Sequence, residues 1–220
     1  RLYDFLDAMG ASVLVATHSR YVVDLNRPED DANLYPGQDT TGLVPVDTFA
    51  REPLYRGSAP DDTERDERVA RYWRPYHRAL EHTLAALKAR HGYVVLWDAH
   101  SIKSVVPRFF AGRLDDLNLG TAGGASCDPR IEAALADAAG GVSGYTHVMN
   151  GRFKGGYITR RYGDPAAGVH AIQLELAEST YMDEDPPFAF RDDLAAGVRP
   201  VVQRLLTAAL AAATRVGSRS

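Results

Sequence analysis

The sequence is poor in cysteine, with Cys127 as the only one among 220 residues. A single cysteine excludes an internal disulfide and a zinc site built from several thiolates, and it favours a reducing compartment such as the cytoplasm. The sequence also contains no run that approaches the roughly 20 consecutive apolar residues of a membrane-spanning helix. We therefore predict a cytoplasmic chain with no membrane partner.

Neither positive nor negative charge is in large excess. Lys and Arg number 25 and Asp and Glu number 29, which leaves a net charge of −4. This balance gives no electrostatic reason to expect nucleic acid as a partner. Hydrophobic residues make up 45% of the chain, so global disorder is excluded and residues 1–220 are predicted to form one domain. The sequence does not indicate an oligomeric state.

The first ten residues have apolar side chains at helical spacing and end at Gly10. They show no initiator Met, no helix-capping residue and no signal-peptide pattern. We expect a helix that the sequence enters partway, and therefore a chain that lacks an upstream segment.

Apolar periodicity and breaker residues predict strands interleaved with helices. Pro75 is expected to kink or split the first long helix, and Gly92 to end it. The pattern indicates an α/β fold with a mixed, mostly parallel sheet and helices on both faces. Strands are predicted at 11–16, 21–24, 93–97, 145–149 and 169–176, helices at 63–91, 129–139 and 192–213, long loops at 26–62 and 101–128, and a glycine-rich basic loop or hairpin at 150–168.

Open α/β sheets place their sites beyond the carboxyl ends of strands, so polar residues at these positions are candidate site residues. Asn26 and Arg27 follow the strand predicted at 21–24. An amide beside a guanidinium can clamp a ligand carboxylate. The alternative is a simple turn, because Asn favours turns and Pro28 enforces one.

Asp98 and His100 follow the strand predicted at 93–97, two residues apart and therefore on one side of the chain. A neutral imidazole at this position can bind zinc, and a nearby carboxylate can fix its tautomer. A hydrogen-bonded core histidine is the more common situation for a lone His.

Glu175 lies in the middle of an apolar strand, where desolvation would raise its pKa toward that of a general base or acid. An outward-facing Glu on a half-exposed strand fits the alternation equally well.

Residues 151–161 carry four cations and three glycines. Arg152, Lys154 and Arg160 are therefore candidates for an anion clamp. The segment does not match the phosphate-loop pattern, and a surface hairpin with solvated charges is the alternative.

Other side chains are weaker candidates. His77, Glu81 and His82 lie on the predicted long helix but lack the His-Glu-x-x-His order of zinc proteases. Ser126 and Cys127 lack a nucleophile signature and are predicted to be structural.

The order of Asn26-Arg27, His100 and Glu175 resembles the zinc carboxypeptidases and related amino-acid deacylases. In those enzymes Asp-x-Asn-Arg holds the substrate carboxylate, a later His binds zinc and a still later Glu is the general base. Longer strings, which span nearly the whole chain, resemble the N-formylglutamate amidohydrolase family. These strings are THSRYVVDLNRP at 17–28, LYPGQ at 34–38, WDAHSI at 97–102 and GRFKGGYITRRYG at 151–163.

The resemblance implies a phosphorylase/hydrolase-like fold, a divalent metal with zinc as the first candidate, and hydrolysis of N-formyl-L-glutamate to formate and L-glutamate in histidine degradation. The substrate is then a small dicarboxylate. Members of the family carry further His or acidic residues upstream, where we expect the remaining metal ligands. The family usually has Thr-Arg-His-Tyr-Gly where this chain has Arg161, so no role is assigned to that position.

The resemblance also implies a role for each candidate. Arg20 is expected to stabilise the oxyanion and Glu175 to act as general base, with His100 as a metal ligand. The carboxylate-binding candidates are Asn26 and Arg27 for one group, and Arg152, Lys154 or Arg160 for the other. Two alternatives stay open: a zinc-dependent deacylase or carboxypeptidase-like enzyme acting on another N-acyl amino acid, and a non-catalytic domain that binds acidic metabolites.

Overall fold

The computed structural model of the chain describes residues 1–34 and 37–217. Tyr35 and Pro36, which belong to the LYPGQ string, and residues 218–220 of the polar tail lie outside the described residues.

The helix predicted over 63–91 is divided into three parts: α1 (Asp62–Arg68), a π-helical turn (Val69–Trp73) and α2 (Arg74–His91). Pro75 lies in the first turn of α2, where a missing backbone N–H is tolerated. Gly92 ends α2 in the left-handed conformation, with φ of 80°. The predicted end is confirmed, whereas the backbone stays helical up to Pro75, and the interruption is a π-helical turn and not a break in two. The remaining helices are α3 (Pro129–Gly140), α4 (Tyr157–Tyr162) and α5 (Asp192–Gly217).

Four strands form one sheet in the order β1-β4-β2-β3. β1 pairs in parallel with β4, and β2 with β3, whereas β2 and β4 are antiparallel. This mixed, mostly parallel sheet confirms the α/β fold class. The strands are β1 (Val94–Ile102), β2 (Leu117–Gly120), β3 (His147–Met149) and β4 (Val169–Ala177).

The sheet lies between two packed layers. The side chains of its central strand β4 alternate between the two faces. Ile172, Leu174 and Leu176 pack on one face in a core that includes residues of α3 and α5. A smaller cluster with α2 and α4 packs on the other face, around Val94 of β1. Asp98 and His100 of β1 and Gln173 and Glu175 of β4 share that second face, which therefore carries the candidate site.

The strands predicted at 11–16 and 21–24 are wrong. Residues 11–16 form no regular secondary structure and pair with no strand among the described residues, and Val13 and Val15 are 54% and 68% exposed. Residues 21–24 form a turn and irregular backbone. β-Branched residues favour strands only where a neighbouring strand and a buried face receive them.

Three other predictions need correction. Residues 1–10 form successive turns and not a continuous helix. The loop predicted at 101–128 contains β2, and the basic segment at 150–168 contains α4 and not a hairpin. In that segment Ile158 and Tyr162 are four residues apart and both buried, so α4 gains stability by packing.

Within the described residues, α5 is the one helix that is long and apolar enough to cross a membrane. One side of α5 packs in the core, with Ala195, Val198, Val202 and Leu205 fully buried. Core helices of soluble proteins have the same composition, so the length of α5 is weak support for a membrane span.

Candidate functional site

The candidate site lies toward the carboxyl ends of the parallel strands β1 and β4. Their register places Asp98 beside Gln173 and His100 beside Glu175. Because paired residues of neighbouring strands point to the same face, these four side chains converge above the sheet.

A pocket opens over this face of the sheet. Lys154 and Arg160 are exposed and are not among its described lining residues. Ala122 N–H donates to the carbonyl of Lys154, and Arg160 Nε donates to the carbonyl of Gly155 at 2.9 Å. Six of the eight predicted site residues line the pocket: Arg20, Asn26, Arg27, His100, Arg152 and Glu175.

Asp24 holds the segment that carries the first candidates. Its carboxylate is buried and accepts a hydrogen bond from Arg20 at 2.5 Å and another from the backbone N–H of Asn26 at 3.0 Å. Arg27 Nε lies 3.9 Å from the same carboxylate. Asp24 therefore orders two cations of the pocket. The sequence reasoning gave it no separate role, although its position in Asp-x-Asn-Arg was a usable signal.

The amide of Asn26 is engaged within the protein. Its oxygen accepts a hydrogen bond from the backbone N–H of Ile158 at 2.8 Å. This bond turns Nδ2 toward Asp98 Oδ2 at 3.4 Å and His100 Nε2 at 3.0 Å. Asn26 thus joins α4 to the polar residues of β1.

Two side chains one helical turn apart support the same segment from behind. Trp73 Nε1 donates to the carbonyl of Arg27 at 2.9 Å, and His77 Nε2 lies 3.0 Å from the carbonyl of Leu25. A carbonyl only accepts, so Nε2 of His77 carries the proton. Its Nδ1 then accepts from the hydroxyl of Tyr162 at 2.7 Å. Both nitrogens of His77 are used in positioning the segment.

His100 forms an ion pair with a buried acid. Its Nε2 lies 2.7 Å from Asp98 Oδ1. Burial alone would lower the pKa of His100, but the charge and hydrogen bond of Asp98, helped by Glu175 and Asp24, raise it to about 9.

Glu175 is 8% exposed and receives a hydrogen bond at 3.1 Å from the side-chain amide of Gln173. Desolvation raises the pKa of Glu175 to about 7, although the charges of His100 and Arg20 act in the opposite direction. An acid with this pKa both accepts and releases a proton near neutral pH, as a general base requires. The desolvation expected from the apolar strand is thus present.

Residues 37–61 form an irregular segment that lines part of the pocket. Its Asp39, Thr41 and Phe49 contribute to the lining. The buried guanidinium of Arg108 holds the segment by donating to Asp39 at 3.1 Å, to Asp47 at 2.8 Å and to the carbonyl of Thr48 at 2.8 Å.

An aromatic wall forms a further part of the pocket that sequence reasoning missed. Phe49, Phe109 and Phe153 line it, and Phe49 contacts Phe109 edge to face at a centroid distance of 4.9 Å. Arg20 lies over the ring of Phe49 at 5.3 Å, and Arg152 Nε donates to the carbonyl of Phe109 at 2.8 Å. The three phenylalanines come from two loops and a segment before α4, so no periodic pattern connects them.

The described residues do not by themselves fit a zinc ion. Zinc in proteins takes at least three His, Cys, Asp or Glu ligands. Within residues 1–34 and 37–217, no group of three or more such side chains is arranged to hold a metal ion.

Comparison with known proteins identifies the family of the chain. Residues 1–182 match the family described as N-formylglutamate amidohydrolase. The chain belongs to that family. The predicted family and the predicted enzyme class, an amidohydrolase, are thereby confirmed.

Two N-formylglutamate deformylases of Pseudomonas are similar to this chain over 212 residues, which are 96% of this chain and 79% of each relative. The protein of Pseudomonas aeruginosa is 58% identical to this chain and that of Pseudomonas putida 53%.

Two solved structures share the fold. The crystal structure of N-formylglutamate amidohydrolase from Ralstonia eutropha JMP134 matches with a TM-score of 0.79 and 25% identity, covering 96% of this chain and 80% of the other. A gene product from Agrobacterium tumefaciens matches with a TM-score of 0.61 at 21% identity, covering 88% and 68%.

Proposed function

We propose that this chain hydrolyses the formamide of N-formyl-L-glutamate to give formate and L-glutamate. One observation carries the proposal: a single pocket combines the guanidinium groups of Arg20, Arg27 and Arg152 with the buried carboxylate of Glu175. The names of the two Pseudomonas relatives, at 58% and 53% identity, support this substrate.

The guanidinium groups match the charge of the substrate. N-formyl-L-glutamate carries two carboxylates, and Arg binds carboxylates through two parallel hydrogen bonds. Arg27 and Arg152 line the pocket from different segments, which supports a proposal that each binds one carboxylate. Lys154 and Arg160 are exposed, and they could take part only after their side chains turn toward the pocket.

Glu175 supplies the proton transfers. It takes a proton from the water whose oxygen attacks the formyl carbon, and it passes this proton to the departing nitrogen as the C–N bond breaks. The electron pair of the attacked carbonyl moves to its oxygen, where the cation of Arg20 stabilises the negative charge. Arg20 is held for this role by Asp24 at 2.5 Å.

A divalent metal, zinc first, remains part of the proposal, with His100 as one ligand. Bound zinc would polarise the formyl oxygen and lower the pKa of a bound water. We also propose a cytoplasmic enzyme of histidine degradation, on the single cysteine for the compartment and on the family resemblance for the pathway.

A substrate panel tests the specificity. Initial rates are measured for N-formyl-L-glutamate, N-formyl-L-aspartate, N-acetyl-L-glutamate and an N-formyl amino acid with an uncharged side chain. We expect the highest kcat/KM for N-formyl-L-glutamate. A higher value for N-acetyl-L-glutamate would instead assign the chain to deacylases of other acyl-amino acids. Binding of these ligands without turnover of any of them would favour an acidic-metabolite binding domain.

A further inference from the structure

Gln173 lies on β4 two residues before Glu175 and shares its face of the sheet. The side chain is 3% exposed and lines the pocket. Its Nε2 lies 3.1 Å from Glu175 Oε2, and its Oε1 lies 2.7 Å from the backbone nitrogen of Gly156. Both ends of the amide thus have a partner.

The partner on the Gly156 side determines which way the amide points. A backbone N–H only donates, so the Gln173 atom beside Gly156 is the oxygen and the NH2 group faces Glu175. The reversed amide would place two donors together at Gly156 and two acceptors together at Glu175. The orientation seen is therefore the only one that satisfies both contacts.

Gly156 can approach this closely because it has no side chain. A Cβ at this position would lie 2.5 Å from Nδ2 of Asn26. Asn26 itself is fixed by the N–H of Ile158 at 2.8 Å. Two backbone N–H groups at the start of α4 thus orient two amides: that of Gly156 orients Gln173, and that of Ile158 orients Asn26. The NH2 group of Gln173 faces Glu175 of β4, and that of Asn26 faces Asp98 of β1.

We propose that Gln173 is a positioning residue for Glu175. Its NH2 group holds one carboxylate oxygen, so that the other is directed to the attacking water. The inference rests on the proposed function, because it assigns Gln173 to the proton-transfer step of that reaction. Gln173 acts through Glu175 and needs no contact with the substrate.

Gln173→Leu tests the role, because leucine keeps most of the volume and removes the donor. A hydrogen bond to a charged group changes a rate by about 10- to 100-fold, so we expect kcat for N-formyl-L-glutamate to fall by that factor while KM stays within about 3-fold. Gln203→Leu is the matched control, since Gln203 is exposed on α5, and it should leave kcat unchanged.

A second variant and a double mutant separate positioning from folding. Gln173→Glu keeps an acceptor for Gly156 and nearly the same shape, yet it replaces the donor beside Glu175 with an oxygen, so kcat should fall here also. If Gln173 acts through Glu175, adding Gln173→Leu to Glu175→Gln should lower the residual rate by less than about 3-fold. A structural role would lower it by the full factor again.

The outcomes are distinct. Wild-type kcat in both folded Gln173 variants would overturn this inference alone, and so would a rise in KM with unchanged kcat. Multiplying effects in the double mutant would overturn it as well. A folded wild-type chain that releases no formate would overturn the proposed function, and the role of Gln173 with it.

Discussion

Glu175 has a pKa suited to its proposed task because two opposing effects act on it. Burial destabilises the carboxylate, whereas the positive charges of His100 and Arg20 stabilise it, and the result is a pKa raised to about 7. A fully exposed glutamate would be a weaker base, and a buried glutamate without cations would stay protonated. The pocket therefore gives Glu175 a pKa between those of an exposed glutamate and of a buried glutamate without cations.

The pH dependence of kcat/KM should report this pKa. The base must be deprotonated, so activity should fall about tenfold per pH unit below pH 7 and level off above it. Initial rates between about pH 3.5 and 9 at low substrate concentration measure the profile. An acidic limb centred near pH 4.5, the ordinary value for Glu, would show that the titrating base is not a buried carboxylate.

The metal-binding role proposed for His100 can be measured directly. His100→Ala should lower the zinc content of protein purified with zinc and then dialysed, as measured by elemental analysis. His91→Ala is the control, because His91 is exposed at the end of α2. Equal zinc in the His100 variant and in the wild type would leave His100 only its ion pair with Asp98.

At the scale of elements, the π-helical turn and α2 support the segment that carries Asn26 and Arg27. Trp73 ends the π-helical turn and His77 follows one turn later, and each reaches a carbonyl next to Asn26. π-Helical turns often occur at functional sites. Here the indole at the end of the turn donates to the carbonyl of Arg27.

Trp73→Phe should therefore weaken substrate binding more than catalysis. Phenylalanine keeps the aromatic packing and removes the N–H, so we expect KM to rise about 3- to 10-fold with kcat within twofold. Trp97→Phe is the control, because its indole donates to Tyr3 at 3.4 Å, away from the segment. A fall in kcat at constant KM would contradict a role in substrate binding.

Elements that begin near a proline or end at a glycine could be predicted from the sequence, and short elements could not. Pro75 and Gly92 delimit α2 as expected, since their backbone chemistry is local. β2 has four residues, too few for alternation to be recognised, and α4 begins after glycines that favour a loop. Whether residues 11–16 pair with another strand depends on distant residues, which local propensity does not report.

Some residues of the site could likewise be predicted from the sequence, and others could not. His100 and Glu175 could be predicted because each is a polar residue in or after an apolar strand. The prediction of Asn26 rests on a strand at 21–24 that the structure does not contain, so among the sequence observations only the Asp-x-Asn-Arg resemblance supports its position in the pocket. Gln173 could have been found by alternation from Glu175. The aromatic wall could not, because its members are brought together only by the folded loops.

At the scale of the whole molecule, the site depends on segments far apart in sequence. Asn26 contacts His100 across 74 positions and Ile158 across 132. The sheet supplies the carboxylates of Asp98 and Glu175, and the start of α4 orients the amides of Asn26 and Gln173. Residues 37–61, which Arg108 holds, line part of the pocket. Substrate binding and proton transfer are thus expected to require the complete fold.

The central claim is that one pocket binds N-formyl-L-glutamate and uses Glu175 as its base. Formate release by the purified chain and by Glu175→Gln, in zinc-supplemented buffer and with a chelator control, tests it most directly. We predict steady formate release by the wild type and a rate at least about 100-fold lower in Glu175→Gln, with similar substrate affinity by calorimetry. Equal release by the two proteins would contradict the account.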